Sequence, residues 1–348
     1  MRSRRAPFWA SSARRCSLSC CGGGPAVRDR KTLIRLGLLV LAVGVAAALW
    51  MFQGLGAGRR DFVLALRWEK LIALVLIGAS VAVATVLFQT VSRNRILTPS
   101  IMGFDALYLL IQTLAVAMLG VTGFAMLPGG PKFLIETALM TALALALFGT
   151  LLGRGAGSAE DIARTILTGV VLGILFRAGA SLIGRLLDPN AYATVQAVSF
   201  ANFGRPNAAL VGWGAALALP AMGLALWMGP RLDVLGLGRE RAVSLGLRYR
   251  VVMTGALALT AVLVAVSTAL VGPVAFLGLI VAGLTHGLFP AARHRLRLVT
   301  AALIACLLLV LGQWLFERFL GRQAVLSVVI EFAGGILFLA LLLKGRIR

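Results

Sequence analysis

The sequence predicts an all-α, polytopic membrane protein with about ten transmembrane helices in one bundle. Three observations predict it. Hydrophobic residues make up 60% of the 348-residue chain and charged residues 13%, with a mean hydropathy of +0.96. A soluble domain is about half apolar and about a quarter charged. The apolar residues are gathered into runs near the roughly 20 residues that a spanning helix needs. Allowing for short loops, a crossing takes about 30 residues, so little chain is left for a soluble domain.

The elements follow in order. Residues 1–30 are rich in Arg, Ser and Gly and read as a basic, disordered tail; the transmembrane domain is 31–348. Cys16, Cys20 and Cys21 lie in that tail without a His or acid at metal-ligand spacing. Leu18-Ser19-Cys20 lacks the apolar stretch that precedes a lipoprotein cleavage site. The apolar runs are 33–52, 71–91, 101–119, 133–152, 162–183, 208–228, 251–271, 276–289, 298–316 and 324–343. The runs 251–271 and 276–289 read as two helices because Gly272-Pro273 separates them, and proline removes a backbone donor and clashes with the preceding turn. Ten crossings put both termini on one side. Both are basic, which favours the cytoplasmic side for them.

Helices in lipid gain little from hydrophobic association and pair through close backbone approach at small residues. Forty glycines suit such pairing; Gly169 and Gly173 form one ridge and Gly334-Gly335 a second.

The net charge of +22 comes from basic residues set mostly between the runs, where they orient helices and meet lipid head groups. No basic patch is interleaved with aromatics, so nucleic acid is not an expected partner. No Gly-rich loop ends in Gly-Lys-Ser/Thr, so the chain has no phosphate loop of its own, and no His-x-x-x-His or Glu/His pair marks a metal site. His286 and His294 read as capping or interfacial groups near a helix end. Asp105, Tyr108 and Gln112 share one face of the third helix. Glu136, Arg177 and Glu331 also fall within runs, where they line a wet path or pair internally. For Asp105 and Glu136, within about one turn of a run's edge, internal pairing or snorkelling is favoured over a place on the path; for Glu331 both readings stay open. The acids form no regular series, which disfavours a proton-coupled carrier.

The segment 230–250 is the most unusual. Two short helices separated near Gly236–Gly238 suit it. Leu235, Leu237, Val243 and Leu245 rest on the bundle or on a partner, while Arg239, Glu240 and Arg241 face water or that partner. A loop lying on lipid is the alternative.

From about Arg67 to the C-terminus the chain resembles the permease subunits of type II ABC importers that carry iron–siderophore complexes, haem and cobalamin. The family's Arg-x-Pro-Arg at the second helix is Arg67-Trp68-Glu69-Lys70 here. Its next motif stands as Asn94-Arg95-Ile96-Leu97-Thr98-Pro99-Ser100-Ile101-Met102-Gly103, with Arg95 in place of a proline. The fifth helix carries Leu167, Gly169, Val170, Leu172 and Gly173. In the loop, Leu235, Leu237, Gly238, Ala242, Leu245 and Gly246 keep the family register, and Gly272-Pro273-Val274-Ala275-Phe276-Leu277-Gly278-Leu279 matches the following signature. Ala282, Gly283 and His286 then depart from the family's Pro-His-x-x-Arg. The variant from Leu97 to Asp105 is similar to the ferric siderophore branch, often of catecholate type.

The resemblance implies a non-enzymatic translocation subunit with no cofactor of its own. It works beside a second permease, identical or related. Two ATP-binding cassette subunits bind ATP and Mg below, and a substrate-binding protein, periplasmic or lipid-anchored, docks above. It implies ATPase coupling through Leu235, Gly238, Arg239, Glu240, Arg241, Ala242, Leu245 and Gly246. It implies binding-protein docking at Arg67 and Lys70, with interfacial snorkelling as their alternative; Arg318, outside after the ninth helix, adds to that charge. A path or gate is expected at Asn94, Pro99, Gly103, Gly169, Gly173, Gly272 and Pro273. A haem or cobalamin permease is the alternative within the family. An ion-coupled secondary transporter or a polytopic membrane enzyme lies outside it and would need a buried charge relay or a catalytic polar cluster.

Overall fold

The computed structural model describes residues 25–53, 60–152, 159–204, 207–290, 292–319, 329–332 and 334–336. Among these, all regular structure is helical: α1 (Pro25–Phe52), α2 (Arg60–Ser92), α3 (Phe104–Met126), α4 (Gly129–Leu152), α5 (Ala159–Leu186), α6 (Pro189–Val198), α7 (Ala208–Trp227), α8 (Gly229–Leu235), α9 (Arg239–Ser244), α10 (Tyr249–Val271), α11 (Leu277–Leu288) and α12 (His294–Phe319). Seven described helices are long and apolar enough to cross a membrane. The run 324–343 lies mostly outside the described residues; 329–332 and 334–336 are helical.

Residues 1–41 and 42–348 are separate units. Residues 1–24 of the expected tail lie outside the described residues. Within the first unit α1 starts at Pro25, so the tail reading was too long; proline suits the first turn of a helix, where its missing N–H costs nothing. Leu33, Ile34, Leu38 and Leu41 on this helix are exposed, as lipid-facing side chains are.

In the second unit α2 is the axis, packed against α12, α10, α7 and α11. From Leu71 to Val91 it is almost wholly buried, the expected fate of a helix that is apolar all round. It begins at Arg60, well before the expected start at 71. Where the family has proline this chain has Glu69, so nothing interrupts the helix. Helices α2 and α12 run antiparallel: Lys70 meets Glu317 at one end, Gly78 lies against Ala305 and Leu309, and Thr90 meets His294 at the other.

The sequence reading missed α6. Its signal was Asp188-Pro189: Asp188 caps the helix by accepting the Ala191 N–H (2.8 Å), and Pro189 stands in the first turn.

Two non-helical stretches penetrate the bundle. After α2 the chain turns at Arg93 (φ 51°) and Asn94, whose Oδ1 accepts the Ile96 N–H, then buries Leu97, Thr98 and Pro99 before a 3₁₀ turn (Ser100–Met102). After α10 the chain breaks at Gly272 (φ 98°) and returns through Pro273 and Val274 to α11, as the Gly-Pro pair predicts. The two stretches meet beside Thr85 at a small cavity with room for one water. Irregular backbone at membrane depth is tolerated only where protein or water covers it.

Candidate functional site

At one end of α2, helices α8 and α9 form the expected pair, divided at Gly236–Gly238. Gly238 is buried with φ 96°, and a Cβ there would meet the Arg93 guanidinium at 2.9 Å. Leu232, Leu235 and Ala242 are buried in the bundle, whereas Leu237, Val243 and Leu245 are exposed beside exposed Arg239, Glu240 and Arg241. The apolar residues of the segment therefore divide, some anchoring it and some left for a partner. Gly246 is exposed with φ 79°.

The anchor includes His294, which stands at a helix end as the sequence reading expected. His294 is not interfacial but 8% exposed. Asp233 Oδ1 of α8 accepts both the His294 backbone N–H (2.9 Å) and its ring Nδ1 (2.7 Å). The first bond caps α12 from a different helix. The second leaves Nε2 beside the Thr90 hydroxyl of α2 at 3.1 Å. One imidazole thus joins α8, α12 and α2. Arg295 adds a second tie by donating to the Leu226 carbonyl of α7 (3.2 Å), and Arg231 stacks on Trp227 at 4.1 Å.

At the opposite end of α2, Arg67 and Lys70 are engaged within the chain. Arg67 Nη1 donates to the carbonyls of Trp50 (3.1 Å), Met51 (2.6 Å) and Gln53 (3.0 Å), closing the end of α1. Lys70 forms an ion pair with Glu317 at 2.7 Å. Gln313 and Trp50 also donate to that carboxylate, at 2.8 and 3.3 Å. Arg318 is exposed beside this network.

Between the ends, the glycine ridge of α5 packs where the sequence placed it. A Cβ on Gly173 would lie 2.9 Å from the Gly103 Cα, and Gly169 abuts the end of Met102. Gly103 itself has φ 96°. Gly272 lies against the backbone of Phe200 and Ala201, and Gly334 against Phe276. Gly335 has open space, so the second expected ridge is a single residue.

Asp105, Tyr108 and Gln112 are buried on one face of α3. Of the two alternatives held for Asp105 and Glu136, snorkelling fails, because they are only 7% and 8% exposed; internal pairing remains. Asp105 lies close to the Ser100 side chain. Glu136 lies beside Gln112 and approaches Lys132 at 3.9 Å, and Lys132 in turn covers the Phe124 ring at 3.5 Å. Ser100 and Lys132 are near in sequence, whereas Gln112 comes from another helix. Among the described residues no group of three or more His, Cys, Asp or Glu side chains gathers as a metal site.

Membrane-length helices, irregular backbone inside the bundle and a helix pair presented at one end are the features of a multi-pass membrane protein. The FecCD transport family profile matches residues 32–344, and the chain belongs to that family. It is 38% identical to the petrobactin import system permease protein YclO of Bacillus subtilis, over 90% of this chain and 97% of the relative. It is 30% identical to the petrobactin import system permease protein FatC of Bacillus anthracis, over 80% of this chain and 78% of the relative. A solved structure described as an inward-facing conformation of a metal-chelate type ABC transporter shares the fold. It has a TM-score of 0.74 and 22% identity, over 90% of this chain and 99% of that one.

Proposed function

We propose that this chain is the translocation subunit of an ATP-driven ABC importer that carries ferric siderophore complexes across a bacterial inner membrane. The observation that carries this reading is the near full-length similarity to a petrobactin import permease. Iron travels inside its chelator as cargo, so the permease needs no iron ligands. The end bearing α8 and α9 faces the cytoplasm, with both termini on that side. Two ATPase subunits that bind ATP and Mg press on Leu237, Arg239, Glu240, Arg241, Val243 and Leu245, the exposed part of a segment whose Leu235, Gly238 and Ala242 are held in the bundle. Gly246 supplies the turn. A second permease, identical or related, completes the path. The packed glycines 103, 169 and 173, and the breaks at Asn94, Pro99, Gly272 and Pro273, are the positions at which that path changes shape.

The test is uptake of radiolabelled ferric catecholate chelate into vesicles holding the permease with its ATPase and supplied with binding protein. ATP-dependent accumulation is expected. Uptake by the permease alone, driven by an ion gradient without nucleotide, would refute the reading.

A substrate-binding protein docks at the other end. Opposite charge steers such encounters; of Arg67, Lys70 and Arg318, the first two are tied internally, which leaves Arg318 exposed to receive the partner's carboxylates. Arg318→Glu is expected to weaken docking about tenfold at low salt and much less at high salt. Arg67→Glu should instead loosen the end of α1 and lower thermal stability. Binding-protein titrations at two ionic strengths separate these outcomes, and unchanged docking by Arg318→Glu removes the assignment.

A further inference from the structure

Arg177 is a charged residue far from either end of α5. It stands about 14 Å along the helix axis from Leu186 and about 27 Å from Ala159. The segment from Leu167 to Leu186 is itself apolar enough to span. Arg177 is nevertheless exposed, and so are its neighbours Ile174 and Leu175. Among the described residues it makes no hydrogen bond or ion pair.

Snorkelling does not relieve this. Helical side chains lean toward the helix N-terminus, which here carries the guanidinium away from the nearer end, Leu186. Packing fixes the same depth: Asp105 sits just beyond Gly103, whose backbone packs on Gly173 one turn before Arg177. Asp105 is buried on α3 and forms no ion pair with Arg177, so it does not cover the cation. A guanidinium left open at this depth is costly against lipid and belongs in a water-filled cavity.

Resting on the ferric-siderophore reading above, we propose that Arg177 lines the aqueous translocation path and makes charge-assisted contacts with the oxyanion face of a net-anionic ferric chelate as it passes. The chemistry fits. Three catecholates around Fe3+ leave a net negative complex whose outer oxygens accept hydrogen bonds, and a guanidinium offers a planar fork of donors. A single cation attracts such cargo without the tight grip that would stall it.

Two measurements test this in the assembled importer. In a background with Cys16, Cys20, Cys21 and Cys306 replaced by alanine, Arg177→Cys is expected to react with a membrane-impermeant thiol reagent, and a ferric catecholate chelate should slow that reaction. A thiol at 177 that stays unreactive throughout the transport cycle places the position against lipid or in a sealed contact and overturns the proposal. In uptake normalised to the permease inserted, Arg177→Lys should keep most transport, Arg177→Ala should lose about tenfold and Arg177→Glu more. Arg177→Glu within twofold of the wild type overturns the charge role while the importer assignment stands. A wild-type importer that accumulates no ferric chelate overturns the assignment itself, and this proposal with it.

Discussion

Leucine at position 173 is expected to leave little folded permease in the membrane. A Cβ there would already lie 2.9 Å from the Gly103 Cα and 3.4 Å from its nitrogen. Both obstacles are backbone, so no side chain can swing aside. The reciprocal change is worse. A Cβ on Gly103 would lie 2.6 Å from the Gly173 Cα, and Gly103 holds φ 96°, which L-residues rarely adopt. Overpacking costs about 1–3 kcal/mol, and a strained backbone conformation adds about 1–3 kcal/mol. Helix pairing in lipid depends on this close approach, so the loss is not recovered elsewhere. Thermal unfolding of detergent-purified protein should place Gly173→Ala between the wild type and Gly173→Leu, with Gly103→Ala lower than Gly173→Ala. Gly212→Leu is the control, since nothing stands within 4 Å of its Cβ position. A wild-type midpoint for Gly173→Leu would refute the packing argument.

The second large effect is expected at Asp233. Alanine there removes the acceptor of the His294 N–H and of its ring in one step. Helix α12 loses its cap, about 1 kcal/mol, and the buried imidazole keeps only Thr90. The bundle should still insert, because the apolar spans are untouched. What should fail is transmission. Helix α8 no longer moves with α12 and α2, so ATP is hydrolysed without displacing the path. Uptake per ATP is expected to fall at least tenfold, in line with the loss of a 1.4 kcal/mol coupling or more. Asp233→Asn keeps an oxygen for the cap and should fall between. Thr90→Val cuts the far side of the link and should weaken coupling less, since His294 keeps its bonds to Asp233. An unchanged ratio of chelate moved to ATP hydrolysed in Asp233→Ala would show that force reaches the bundle by another route.

The contrast between these two sites follows from how each is encoded. Gly169 and Gly173 are four residues apart on one helix, so their shared face follows from helical geometry, and only small residues pair so closely in lipid. The same local logic made the Gly272-Pro273 break and the Gly236–Gly238 division readable. Long apolar runs were readable because transfer from water to hydrocarbon is a property of each residue and sums along the chain. Partners were not. Asp233 and His294, Lys70 and Glu317, and Glu136 and Gln112 meet only because each helix has a particular rotation and depth. Hydropathy is blind to both.

Membership of the membrane class, the breaks in the helices and the family motifs were therefore all present in the linear order of residues, because each depends on neighbours within a few positions. Tertiary packing alone decided that Arg67 and Lys70 turn inward while Arg318 stays open, that His294 is a buried junction rather than a surface cap, and that Arg177 stands uncovered within a membrane-spanning helix. The energy of a charge depends on what lies across from it, and that is set by how helices distant in sequence come together.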